Sequence, residues 1–231
     1  MDIKLSGRGR FSSGECKSII ATGKTTLSGL IKLEELNSHG TLTGESIEST
    51  DQLAFKGRAH FSGDLNVKNI YSNGYFSCDK ELNATGVVAC IGKFKSAKRV
   101  NCYDFYLNGK GSVSCGVQAV EINTIGSIES GALITTKGVD IDVYGKVEIE
   151  SVKGGNVRIK PKRHGLIAFK NITAVVKDFI EGDKVTLERV ICPLVTGKEV
   201  IIDDLCKIDV VRYSDRVKIS EYAKVGKTEK I

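Results

Sequence analysis

Apolar residues recur along this chain with a period of about seventeen residues, locked to a recurring glycine. The glycines are Gly7, Gly23, Gly40, Gly57, Gly74, Gly92, Gly109, Gly126, Gly145, Gly165, Gly182 and Gly197, separated by 15 to 20 residues and most often by 17. Thirteen residues after a glycine stand Ile20, Leu36, Leu53, Ile70, Val87, Phe105, Ile122 and Val139, then Val195 and Val210 near the end. A second apolar slot follows two to four residues after the glycine, as in Phe11, Leu27, Phe61, Phe76 and Val113, and a third about eight after it, as in Ile31, Leu65, Leu82, Val190 and Leu205. Between the slots, polar and apolar residues alternate, as in Asp64-Leu65-Asn66-Val67-Lys68. That two-residue period belongs to half-buried strands; no helical 3.6-residue pattern is sustained. Each repeat therefore predicts three short strands and three turns.

Self-similarity at a fixed short period marks a solenoid, because one repeat cannot bury its apolar face without neighbours above and below. The turns are written in Gly, Ser, Asn and Asp, as in Ser62-Gly63-Asp64 and Asn73-Gly74, residues that accept positive φ or bond their own backbone. Only two prolines occur, which suits continuous ladders in which nearly every N–H donates. The expected fold is all-β: a parallel β-helix of about 12–13 coils of ~17 residues, right-handed by the general chirality of parallel crossovers. One domain is expected over residues 1–227, with a basic loop insertion at about 153–164 and a short polar tail at 228–231.

Composition adds limits. No apolar run of signal or transmembrane length occurs near the start, so the expected location is the cytoplasm. Seven cysteines, an odd number without a paired motif, argue against a disulfide framework. Cys16, Cys102, Cys192 and Cys206 share the phase of Leu33 and Val67 and read as small core residues; Cys78, Cys90 and Cys115 fall at other phases. The net charge is +6, from 34 basic and 28 acidic residues, mostly a solvated face. The densest basic run is Arg158-Ile159-Lys160-Pro161-Lys162-Arg163, expected to bulge outward as a soluble turn.

Motifs of site chemistry are sparse in the sequence. Gly23-Lys24-Thr25 and Gly226-Lys227-Thr228 lack the glycine that a phosphate loop needs five residues earlier, where Ser18 and Glu221 stand. His39, His60 and His164 are spread along the chain, the first and last beside turn glycines. The carboxylate clusters Glu34-Glu35, Glu45 with Glu48, and Asp203-Asp204 lie near turns with no evident partner base, and glycoside chemistry would need two carboxyls across a cleft. No catalytic residue, metal ligand, cofactor, small-molecule substrate or nucleic-acid partner is expected.

The glycine-spaced coils, for example Phe55-Lys56-Gly57-Arg58-Ala59-His60-Phe61-Ser62-Gly63-Asp64-Leu65 and Ile125-Gly126-Ser127-Ile128-Glu129-Ser130-Gly131, resemble those of the bactofilins, polymer-forming bacterial cytoskeletal proteins. The resemblance covers most of the chain. It implies nucleotide-independent, end-to-end assembly into non-polar filaments that position cell-envelope, cell-shape or motility proteins. It further raises contact with envelope proteins or the inner face of the membrane, with co-assembly with a paralogue left open. The proline-rich tails and membrane-targeting peptide of that family are not recognisable here.

The edges of a solenoid support assembly independently, since an open ladder presents unpaired strands. Ile3, Leu5 and Phe11 in the first coil, and Val217, Ile219 and Tyr222 in the last, are the expected polymer-interface residues. A non-polymerising adaptor rod stays open as an alternative, with Tyr71, Tyr75, Tyr103 and Tyr106 as its candidate patch. So does, less favoured, a carbohydrate-active enzyme on the same fold.

Overall fold

Each coil advances by about 17 residues and lies in parallel register on the next, so that residues one coil apart in sequence become neighbours in space. In the computed structural model the chain is all-β, with 82% of residues in strands and about 13 turns of a parallel β-solenoid. The structure describes residues 1–162 and 173–231, and no helix occurs among them. The chain divides into two compact units, Met1–Cys115 and Gly116–Ile231.

In the first unit, extended pairing runs unbroken from Ser18 to Phe61, 44 residues, because corners are turned by single glycines rather than by loops. Gly57 and Gly74 sit at φ +116° and +132°, a region closed to most side chains. They also stack directly: a Cβ on Gly74 would strike the carbonyl oxygen of Gly57. Strands Leu65–Cys78, Val87–Ser96 and Asp104–Val113 continue the stack, pairing Gly74 with Gly92 and Gly92 with Gly109.

The core is a set of ladders. One runs Leu53, Ile70, Val88, Phe105, every member fully buried. Val88 rather than Val87 takes this column, and in the first coils Ile19 pairs with Ile3 while Ile20 is 42% exposed. Likewise Val211, not Val210, pairs with buried Val195, and Cys206 is buried where Leu205 is exposed. The cause is the same at each place. Coils differ in length by a residue, and a one-residue slip sends a side chain to the opposite face.

The second apolar slot of the sequence resolves into two inward columns, two and four residues after the corner glycine. A large residue in one is matched by a small residue in the other: Ala59 with Phe61, Phe76 with Cys78, Phe94 with Ser96, Gly111 with Val113. This complementarity keeps the coil cross-section constant at close packing. The rings touch between coils, Phe61 to Phe76 at 6.0 Å and Phe76 to Phe94 at 5.4 Å between centroids.

In the second unit, one column runs Ile122, Val139, Val157, Val185, Val200 and a second Thr124, Ile141, Ile159, Leu187, Ile202. The glycines change role here. Gly126 pairs with Val143, whereas Gly154, Gly182 and Gly197 stack on one another at a different position of the coil. One glycine series in the sequence is thus two ladders in space.

Two segment boundaries differ from expectation. Residues 153–161 form part of strand Val152–Pro161 with Val157 and Ile159 buried, so the basic run begins inside the ladder; Arg163, His164, Gly165 and Ile167 lie outside the described residues. Thr228–Lys230 belong to strand Lys224–Lys230, paired with Lys207–Tyr213, rather than to a tail.

Candidate functional site

Five of the six expected interface residues continue buried columns to positions that no further strand covers among the described residues. Ile3 pairs with Ile19, Leu5 with Ala21 and Phe11 with Leu27. The covered partners are at most 1% exposed, whereas Ile3, Leu5 and Phe11 are half-buried. They point inward by register and lack only an apolar layer on the far side. Strands Asp2–Leu5 and Arg8–Glu15 each pair on one side only among the described residues, which leaves a row of backbone donors and acceptors open.

In the second unit, Val217 pairs with Val200 and Ile219 with Ile202. Val200 and Ile202 are fully buried, while Val217 is half-buried and Ile219 is 37% exposed. Strand Lys224–Lys230 covers only the Lys207–Tyr213 half of that coil. Tyr222 is 65% exposed; its side chain extends no column, and its carbonyl accepts from the N–H of Leu205. The structure therefore places five of the six residues on uncovered columns and Tyr222 on the turn beside them.

The described cations of the basic run, Arg158, Lys160 and Lys162, are held rather than free. Arg158 is clasped by Asp140 and by Asp142 at 2.8 Å, Lys160 meets Asp203 at 2.6 Å, and the Lys162 ammonium lies 5.8 Å from the Tyr144 ring centre. Two of the carboxylates read as unpartnered in sequence find partners one coil away: Glu48 meets Lys32 at 3.2 Å, and Glu45 accepts from the N–H of Gly29 at 2.8 Å. In the second unit Lys146 and Lys177 bond Glu148 at 2.7 and 2.6 Å and hold its carboxyl down at about 2. An unfolded glutamate titrates near ~4.3. Because the folded value is the lower, this contribution is present above the unfolded value and is lost as the pH falls toward about 2. Thermal midpoints of the wild type and Glu148→Gln should therefore differ most near neutrality and converge in acid; a constant difference would refute the assignment.

One constellation went unseen in the sequence. His60 Nδ1 lies 3.0 Å from Ser77 Oγ, and its Nε2 lies 3.5 Å from Asp79. Residues 17 and 19 apart reveal no motif until the coil register is known. Ser77 is only 4% exposed, and the surrounding backbone donors are committed to ladders on both sides, so the trio presents neither an open nucleophile nor a donor pair for an oxyanion. His39 is exposed. No group of three metal-ligating side chains occurs among the described residues.

The cysteines are all free. Burial pushes the Cys78, Cys90, Cys192 and Cys206 thiols up to about 11 and that of Cys102 to about 12, which keeps them as inert thiols. Cys16 and Cys102 are half-buried and Cys115 is exposed. Tyr71 and Tyr106 share one outward column, with Ala89 between them and Ala54 on the far side of Tyr71. No helix among the described residues is long and apolar enough to cross a membrane.

The described residues form a parallel β-solenoid. No protein-family model, no curated protein and no solved structure matches the chain.

Proposed function

We propose that the protein is a structural, self-assembling scaffold whose coils stack edge to edge between copies without nucleotide, as the bactofilin resemblance implies. The observation that carries this reading is the pair of interrupted columns: Ile3, Leu5 and Phe11 on one edge, Val217 and Ile219 on the other. Seating one edge on the other would complete both ladders with the same apolar and backbone contacts that join coils within the chain. The two edges are different surfaces, so the contact is heterologous. Such contacts propagate into filaments when the rotation does not close into a ring. Cytoplasmic filaments of this kind would serve to position cell-envelope, cell-shape or motility proteins.

Leu5→Lys and Ile219→Lys place an ammonium on each edge at positions that are not fully buried. Sedimentation velocity should show the wild type as large assemblies and each variant as the monomer, with the critical concentration raised by on the order of tenfold or more, since burying an unpaired ammonium is heavily disfavoured. Unchanged assembly of both variants would overturn the reading. The adaptor reading draws on a shallow groove lined by Phe55, Tyr71, Ala89 and Ile91, with Tyr71 43% and Ile91 58% exposed.

A further inference from the structure

Two neighbouring outward columns of the first unit carry lysine and arginine and no carboxylate. In the strand that follows each corner glycine, the residues one and three positions on point outward. The first of these columns contains Arg8, Lys24, Arg58, Lys93 and Lys110, with Thr41 and Tyr75 between them. The second contains Arg10 and Lys95, with His60 and otherwise Thr or Ser. Neither column holds a carboxylate. The lysines and arginines are all exposed, and the ion pairs of this unit lie elsewhere, apart from His60 with Asp79 at the margin. Arg58 lies over the Tyr75 ring, 5.7 Å from its centre.

The charge is not a default of the coil. In the second unit the matching positions after Gly126 and Gly145 hold Ser127, Glu129, Lys146 and Glu148, and there the lysine is paired with both glutamates, at 3.7 and 2.7 Å. Like charges stacked about 4.8 Å apart repel one another, so a face that keeps them without counter-charge is suited to a partner that supplies it.

We infer that this face binds the head groups of an anionic phospholipid bilayer. The pairing of Gly57–Phe61 through Gly74–Cys78 and Gly92–Ser96 to Gly109–Val113 has no register shift, so the columns form a flush ladder without a projecting element. A flush array of exposed cations fits a plane of anionic head groups, to which each basic residue near the surface adds attraction. Single-stranded nucleic acid would need open aromatic faces, and the one aromatic in these columns, Tyr75, is capped by Arg58. A duplex would need an element to enter a groove. Ile91, next to corner glycine Gly92 and 58% exposed, supplies an apolar side chain at the margin.

The inference does not depend on self-assembly, and vesicle flotation separates the two, because assemblies without lipid stay at the bottom of the gradient. The full chain should float with phosphatidylcholine vesicles containing about 30% phosphatidylserine at about 0.1 M salt, and not with pure phosphatidylcholine. Raising the salt to about 0.5 M should release it, a result that needs no variant. Combined R58Q, K93Q, K95Q and K110Q should weaken flotation by on the order of tenfold or more. The same charge removed outside the face, by K184Q, K207Q, K218Q and K224Q, should leave flotation as in the wild type. Equal flotation of the face variant, equal loss in the control variant, or binding to a short DNA duplex without flotation would each overturn the inference.

Discussion

Replacing Gly74 by valine is expected to unravel the middle of the first unit. Two penalties coincide at this position. The backbone lies at φ +132°, where a β-branched residue costs about 1–3 kcal/mol, and the new Cβ would collide with the carbonyl oxygen of Gly57 in the adjoining coil. Relieving that collision means opening the ladder, because the obstacle is backbone and cannot rotate away; overpacking of this kind costs a further ~1–3 kcal/mol. Folded domains are stable by only about 5–15 kcal/mol. Urea denaturation should show a loss of several kcal/mol for Gly74→Val. Gly145→Ala, whose Cβ would meet only the Ser127 side chain at 3.3 Å, should cost far less. Similar losses for the two variants would mean that the glycine ladder does not set the coil spacing.

Truncating Phe76 to alanine should cost about 3–5 kcal/mol, the range for large-to-small changes at well-packed aromatic sites. Its ring is fully buried and lies within 6.0 Å of Phe55, Phe61 and Phe94. The neighbours cannot collapse into the gap, since each is fixed to its own coil by ladders above and below. Tyr71→Ala, on the exposed column five residues earlier, should change stability by less than about 1 kcal/mol. The ratio of the two losses in thermal or denaturant unfolding checks that the small-and-large alternation, rather than surface aromatic cover, carries the packing.

The solenoid was legible because its cause is local and repeated: each coil must place apolar side chains on its inner face, and the glycine returns wherever the corner requires it. What stayed hidden depends on register. Ile20 and Val87 look like core by counting from a glycine, yet Ile19 and Val88 hold those places, because a coil shorter or longer by one residue reverses the faces. Gly182 continues the spacing of Gly126 in sequence but belongs to another ladder. The basic run at Arg158 reads as a loop until its aspartates, 16 and 18 residues earlier, are seen beside it. Val217 and Ile219 are visible in the sequence by their alternation, and they lie in register with Val200 and Ile202. Tyr222 lies on a turn and extends no column, a placement that depends on the coil register. The basic face was invisible because its members are separated by whole coils and interleaved with acidic residues in sequence.

Negative-stain electron microscopy of the purified protein, with no nucleotide and at physiological salt, tests the central claim most directly. The account predicts thin, unbranched filaments from the wild type and their loss in Leu5→Lys; separate particles of single-chain size from the wild type at micromolar concentration would contradict it.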